Sequence, residues 1–171
     1  MTGKELLSFP TIGVNAMYEH QTFNFEQAIQ KIKDQFQFDF VALALVQSAQ
    51  FHFVLKWEYV LGNRSMRYKR IVLQKGKGIA GNVFKTGKPM LMSNVEMELS
   101  KDDLFNYPIV VAEGLTSFGA TPLYRKGRVE AVLLAAFRNH RRMTPERFEK
   151  FEVAVEEVFG TYYNKEMVKE K

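Results

Sequence analysis

Gly76, Gly78 and Gly81 follow the spacing G-x-G-x-x-G, and Glu96 stands about twenty residues further on, as in a dinucleotide fingerprint. In that pattern glycine turns let backbone amides approach a pyrophosphate, and a helix start supports its negative charge. With Val83 the block also satisfies the glycine loop of protein kinases. Neither context follows. A dinucleotide fold needs parallel strands joined by helical crossovers, whereas the flanking segments here read as hairpins. A kinase needs His-Arg-Asp and Asp-Phe-Gly segments, which the chain lacks. What remains is a glycine-rich turn opening a helix at Ile79 and Ala80, whose free N–H groups suit an anion or an electron-rich oxygen. A second helix start at Pro108 and Ile109 offers the same chemistry.

Side chains suited to catalysis are sparse. The chain has no cysteine, which removes thiolate nucleophiles, disulfides and zinc–cysteine sites together. His20, His52 and His140 are scattered, and none shares a metal-like spacing with another histidine or a carboxylate. Asp102-Asp103 and Glu156-Glu157 sit where helix caps or solvated faces put them. The expectation is a protein that is not an enzyme and holds no metal or cofactor.

Composition bounds the rest. At 171 residues, 46% hydrophobic and 25% charged, the chain reads as one globular domain over 1–171, with a core over about 24 to 164. No apolar run approaches the ~20 residues that span a bilayer. The start, Met1-Thr-Gly-Lys-Glu, lacks the order of a signal peptide. A cytoplasmic protein with no membrane partner is expected. The formal charge of +5 comes mostly from Arg64, Arg67, Lys69, Arg70, Lys75 and Lys77, then Arg138, Arg141 and Arg142. Both clusters flank predicted strands, where charge discourages edge pairing. Without a helix-turn-helix pattern or a basic run interleaved with aromatics, no nucleic-acid partner is expected.

Asn24 can cap a helix with an apolar face of Phe25, Ala28, Ile29, Ile32 and Phe36. Residues 38–46 are apolar on both faces after Asp39, as in a central strand. From Phe51, alternation places Phe53, Leu55, Trp57, Tyr59 and Leu61 on one face and His52, Lys56 and Glu58 on the other. The link 48–50 suggests a hairpin. Residues 70–73 read as a short strand feeding the glycine block, whose helix stops at Gly87. Residues 93–107 are polar and read as irregular, before a short helix from Pro108 to Gly114. Strands over 117–124 and 129–137 join through Lys126-Gly127. Thr144-Pro145-Glu146 opens a last helix with the stripe Phe148, Phe151, Val155, Val158 and Tyr162. Antiparallel pairs dominate, so the fold class is α+β, with the terminal helices on one face of a five- or six-stranded sheet.

The block from Lys75 to Pro89 resembles the central signature of GAF domains. Residues 119–124, with Gly127 and 131–134, resemble their closing hairpin. The likeness runs from about 24 to 164 and implies short helices over a ligand pocket on the second face of the sheet. Residues 56–59, 67–70, the glycine block and 103–109 are similar to the stand-alone nitrate receptors of the family. These act on the oxygen-sensing histidine kinase of a bacterial two-component system. The resemblance implies Trp57 and Tyr107 as aromatic walls, and Ile79, Ala80 and Ile109 as main-chain donors. Met90 stands where it implies a second tryptophan. Nitrate is planar, singly charged and weakly basic, so preorganised N–H donors in a dry aromatic pocket suit it without a basic clamp. Two other readings stay open. One is a GAF module for a cyclic nucleotide, purine or amino acid. The other is a ligand-free adaptor that forms a homodimer through its terminal helices.

Overall fold

In a computed structural model, which describes residues 23–48, 53–160 and 162–163, the first helix starts where its cap predicts. Asn24 accepts the amide of Gln27 at 2.9 Å, and α1 runs Phe25–Phe36 with Phe25, Ala28, Ile29 and Ile32 buried. A side-chain cap of this kind stabilises a helix by about 1 kcal/mol. The chain then enters a sheet formed by β1 (Phe40–Ser48), β2 (Phe53–Leu61), β3 (Met90–Met92), β4 (Ser117–Arg125) and β5 (Arg128–Phe137). The order is β2-β1-β5-β4-β3 and every pairing is antiparallel. The turn between β4 and β5 holds Lys126 and Gly127 at φ 56° and 81°, the twist a two-residue hairpin requires. The 48–52 link lies partly outside the described residues, as do Phe51, His52 and His20.

Both faces of the sheet are covered, giving the expected α+β architecture with five strands. Val41, Leu43, Leu133 and Ala135 pack against α1 and against α6 (Pro145–Phe159), the latter capped by Thr144. Phe151, Ala154, Val155 and Phe159 of α6 are buried there. The two terminal helices therefore bury their stripes side by side on the sheet, and Val153 is the large apolar side chain that α6 leaves exposed. On the opposite face Phe40, Ala42, Ala44, Leu134 and Ala136 pack under α2 (Gly78–Thr86) and α5 (Pro108–Glu113).

Three expectations are corrected. Residues 70–73 do not form a strand: Arg67–Arg70 is a 3₁₀ turn, and only Leu73 bridges to Leu55 of β2. The carbonyl of Gln74 already receives the amide of Lys77 at 3.0 Å, so the chain turns before a ladder can lengthen. Residues 93–107 are less irregular than their polarity suggests. They hold two single-turn helices, α3 (Val95–Glu98) capped by Asn94 and α4 (Lys101–Leu104) capped by Ser100. Four-residue helices have no periodic pattern to read, although their caps are visible. Lastly, β2 does not keep one apolar face. Leu43 pairs with Tyr59 but Ala44 pairs with Trp57, leaving Glu58 as the extra residue of a β-bulge. Leu55 and Trp57 thus join the layer under α2 and α5, while Tyr59 and Leu61 pack toward α1 and α6.

The glycine block has a backbone explanation. Gly76 and Gly78 adopt φ 81° and 70°, which side-chain-bearing residues rarely take. Gly81 lies under the returning loop, where a Cβ would sit 1.9 Å from the carbonyl oxygen of Gln74. Its own carbonyl accepts the amide of Gly76 at 2.8 Å. Gly81→Ala is expected to force the loop off the helix at a cost of roughly 1–3 kcal/mol. A thermal melt equal to the wild type would show that the approach is not tight in solution.

Candidate functional site

Four of the six α-helices among the described residues begin on a side-chain cap: Asn24, Asn94, Ser100 and Thr144. The other two, α2 and α5, have none. Lys77 precedes α2 in an extended conformation, and Tyr107 precedes α5 with Pro108 at its first position. First-turn amides have no acceptor within their own helix. The uncapped helices are the ones whose first turns meet: Gly78 and Ile79, with Pro108 and Ile109, line a common cavity of about 220 Å³.

Trp57 forms part of that cavity wall and is 7% exposed. Its indole Nε1 is buried and has no hydrogen-bond partner. A buried donor without an acceptor costs roughly 1–3 kcal/mol, and such groups in native folds call for an explanation. An acceptor atom placed in the cavity would supply one. The bulge at Glu58 turns Trp57 to this side of the sheet.

Of the residues singled out in the sequence, Trp57, Ile79 and Ile109 line the cavity. Ala80, Met90 and Tyr107 are not among its lining residues. Ala80 is fully buried beside it in the same apolar layer. Met90 is half-buried on the edge strand β3, paired with Ala120. Tyr107 packs against this layer, and its carbonyl accepts the amides of Val110 and Val111. Sequence reasoning missed Ile71, Val72, Leu73 and Gln74, which the turn at Gln74 folds into the wall, and Phe105 and Asn106, which precede α5. It also missed Lys77, the charged residue among those that line the cavity. The charge at Lys77 was a visible signal; the loop positions had none. Among the described residues no group of three or more His, Cys, Asp or Glu side chains is set to hold a metal, and no helix is long and apolar enough to cross a membrane.

A buried ion pair fixes the far end of α5. Glu113 is fully buried, and its Oε1 accepts from Arg138 and from the backbone amide of Arg64, each at 2.7 Å. Arg138 also donates through Nε to the Glu113 carbonyl, and its amide donates to Asp39 Oδ2, both at 2.7 Å. Arg141 pairs with Asp39 at 2.9 Å. Two members of the second basic cluster are thus held in ion pairs, Arg138 partly buried and Arg141 at the surface. The loop after β2 is tied to α5, which holds one side of the cavity.

Comparison with known proteins places these features in a family context. The family model described as GAF domain matches residues 24–160. Among solved structures, a hypothetical protein from S. aureus is 41% identical with a TM-score of 0.66, over 69% of this chain and 95% of its own. The NreA protein from Staphylococcus aureus, mutated in its nitrate binding site, is 39% identical with a TM-score of 0.68, over 75% of this chain and 92% of its own. A second structure of mutated NreA is 38% identical with a TM-score of 0.69, over 75% and 95%. No curated protein matches the chain.

Breaking a buried pair by removing one partner costs roughly 3–5 kcal/mol, because the other charge stays buried alone. Arg138→Ala is expected to lower the urea midpoint accordingly. A midpoint within error of the wild type would mean that Glu113 finds another cation or water.

Proposed function

The chain belongs to the GAF domain family, and on that footing we propose that it is a small-ligand sensor whose ligand is nitrate and whose output is modulation of a sensor histidine kinase. One observation carries the reading: the unpartnered indole N–H of Trp57 lies on the wall of a small cavity that two uncapped helix starts share. The likeness to NreA, a protein with a nitrate binding site, supports the choice of ligand.

Nitrate spreads one charge over three oxygens. Each accepts only weak hydrogen bonds, so full proton donation from a cation is not required. In this reading the Trp57 N–H and the amides of Ile79, Ala80 and Ile109 are the donors. The dipole of α2 adds charge complementarity. The Trp57 ring and the aliphatic lining give the site an apolar wall, whose lower local polarity strengthens each of these contacts. Tyr107 backs the approach to α5. Met90, where a second tryptophan was expected, stands on β3 outside the cavity lining. The reaction is binding alone: the absence of cysteine from the sequence removes the thiol chemistry that a redox enzyme on this fold would use. The same reading places the protein in the cytoplasm, with no nucleic-acid or membrane partner.

The cavity volume favours a second candidate ligand class. At about 30 Å³ per water, 220 Å³ holds several waters beside a four-atom anion. A compact amino acid or purine would fill more of that space.

Nitrate at millimolar concentration or below is expected to raise the melting temperature, since a ligand that binds only the folded state stabilises it by mass action. Chloride and cyclic GMP are not expected to do so. Trp57→Phe keeps an aromatic ring and deletes the donor. Loss of a hydrogen bond to a charged group is worth roughly 1.5–3 kcal/mol, so nitrate affinity should fall about tenfold to a hundredfold, while the free protein should still unfold cooperatively because removal of the unpartnered N–H offsets part of the packing lost. No shift with nitrate alongside a shift with a purine or amino acid would replace the ligand; unchanged affinity in the variant would displace Trp57 from the site.

A further inference from the structure

Residues 59–95 carry eight lysines and arginines and no aspartate or glutamate, so this stretch exceeds the net charge of the whole chain. Arg67, Lys69 and Arg70 are exposed on the 3₁₀ turn, and Lys75 and Lys77 are exposed on the glycine loop. The ion pairs among the described residues, Arg138–Glu113 and Arg141–Asp39, engage none of them. Large apolar side chains stand in the open beside these cations: Val72 is 74% exposed and Phe105 is 83% exposed. Val72 and Phe105 also line the cavity. They come from separate segments, one following the 3₁₀ turn and one following α4, and the cavity brings them together.

Unpaired like charges repel one another, and solvent-exposed phenylalanine and valine forgo burial. A surface that combines both gains from a partner with the opposite charge and an apolar knob. We propose that the mouth of the cavity, lined by Lys77, Val72 and Phe105, together with the exposed Arg67, Lys69 and Arg70 of the 3₁₀ turn that leads into it, is a docking surface for an acidic patch on a partner protein. An acidic patch supplies the opposite charge that the described ion pairs do not give Arg67, Lys69, Arg70 and Lys77, and its apolar side chains can cover Val72 and Phe105. Because Val72 and Phe105 belong to both the cavity and the docking surface, a ligand inside and a partner outside bear on the same side chains. Occupancy and docking are therefore coupled, and by linkage each alters the affinity of the other by the same factor. The coupling rests on the ligand reading above; the docking surface itself does not.

The test uses the full chain. A photo-reactive benzoyl-phenylalanine is placed in turn at Val72, Phe105 and, as a control, at exposed Val153 on the opposite face. The first two are expected to capture one and the same protein in cells and the control not to. With that protein purified, the Arg67→Glu, Lys69→Glu, Arg70→Glu variant should bind it roughly tenfold or more weakly, and wild-type binding should weaken as salt rises. The variant should retain the wild-type melting temperature and nitrate affinity. Adducts with lipid or nucleic acid alone, no adduct, the same adduct from Val153, or unchanged affinity after charge reversal would each overturn the docking surface. Calorimetry of nitrate with the free protein separates the two proposals. If nitrate binds but leaves the partner affinity unchanged, the coupling is wrong. If nitrate does not bind while docking persists, the ligand reading alone falls.

Discussion

One extra residue in β2 decides what this sheet can do. Across an antiparallel pair, side chains alternate strictly, so without a bulge Trp57 would share its face with Tyr59 and Leu61 beneath the terminal helices. The insertion at Glu58 resets the alternation between Leu43 and Ala44. The indole is thereby moved to the other face, against α2 and α5. The same residue type in the same strand then serves as a cavity wall with an unmet N–H rather than as packing. Both apolar layers stay closed, because Tyr59 and Leu61 still reach the α1–α6 side.

The second constraint is how two helices come to begin at one place without caps. The glycines let the loop from Gln74 fold under α2, and Gly78 and Ile79 of its first turn line the cavity. Proline at the start of α5 removes one donor and leaves the next amide without a helical acceptor. Elsewhere, Asn and Ser caps start even four-residue helices. The contrast within one chain makes the two bare starts informative: the sequence has cap-forming residues at its disposal and does not place them there. Glu113 and Arg138 then hold α5 from its other end, while the bulged strand supplies Trp57 to the cavity wall. A binding site built on main-chain donors depends on such anchoring, since amides cannot adjust as side chains do.

The amino-acid sequence by itself determined the elements whose signals are local. Caps at Asn24 and Thr144, Pro108 at a helix start, the stops at Gly87 and Gly114, the Lys126-Gly127 turn and most of the apolar stripes of the terminal helices lie where their residues indicate; Tyr162 falls beyond the end of α6, and Ala154 and Phe159 complete its buried face. Each of these signals depends on residues within four positions of one another. The glycine block was equally legible, and its resemblance to GAF domains agreed with the family match. Tertiary structure decided the rest. The bulge in β2 depends on pairing with β1, so alternation in the sequence misplaced Tyr59 and Leu61 relative to Trp57. Leu73 belongs to no strand because Gln74 turns to meet Lys77. The cavity gathers positions 57, 71–74 with 77–79, and 105–106 with 108–109 from three separate stretches, which no local pattern relates. Which side chains meet is set by strand register and loop closure, quantities that exist only once distant parts of the chain have packed.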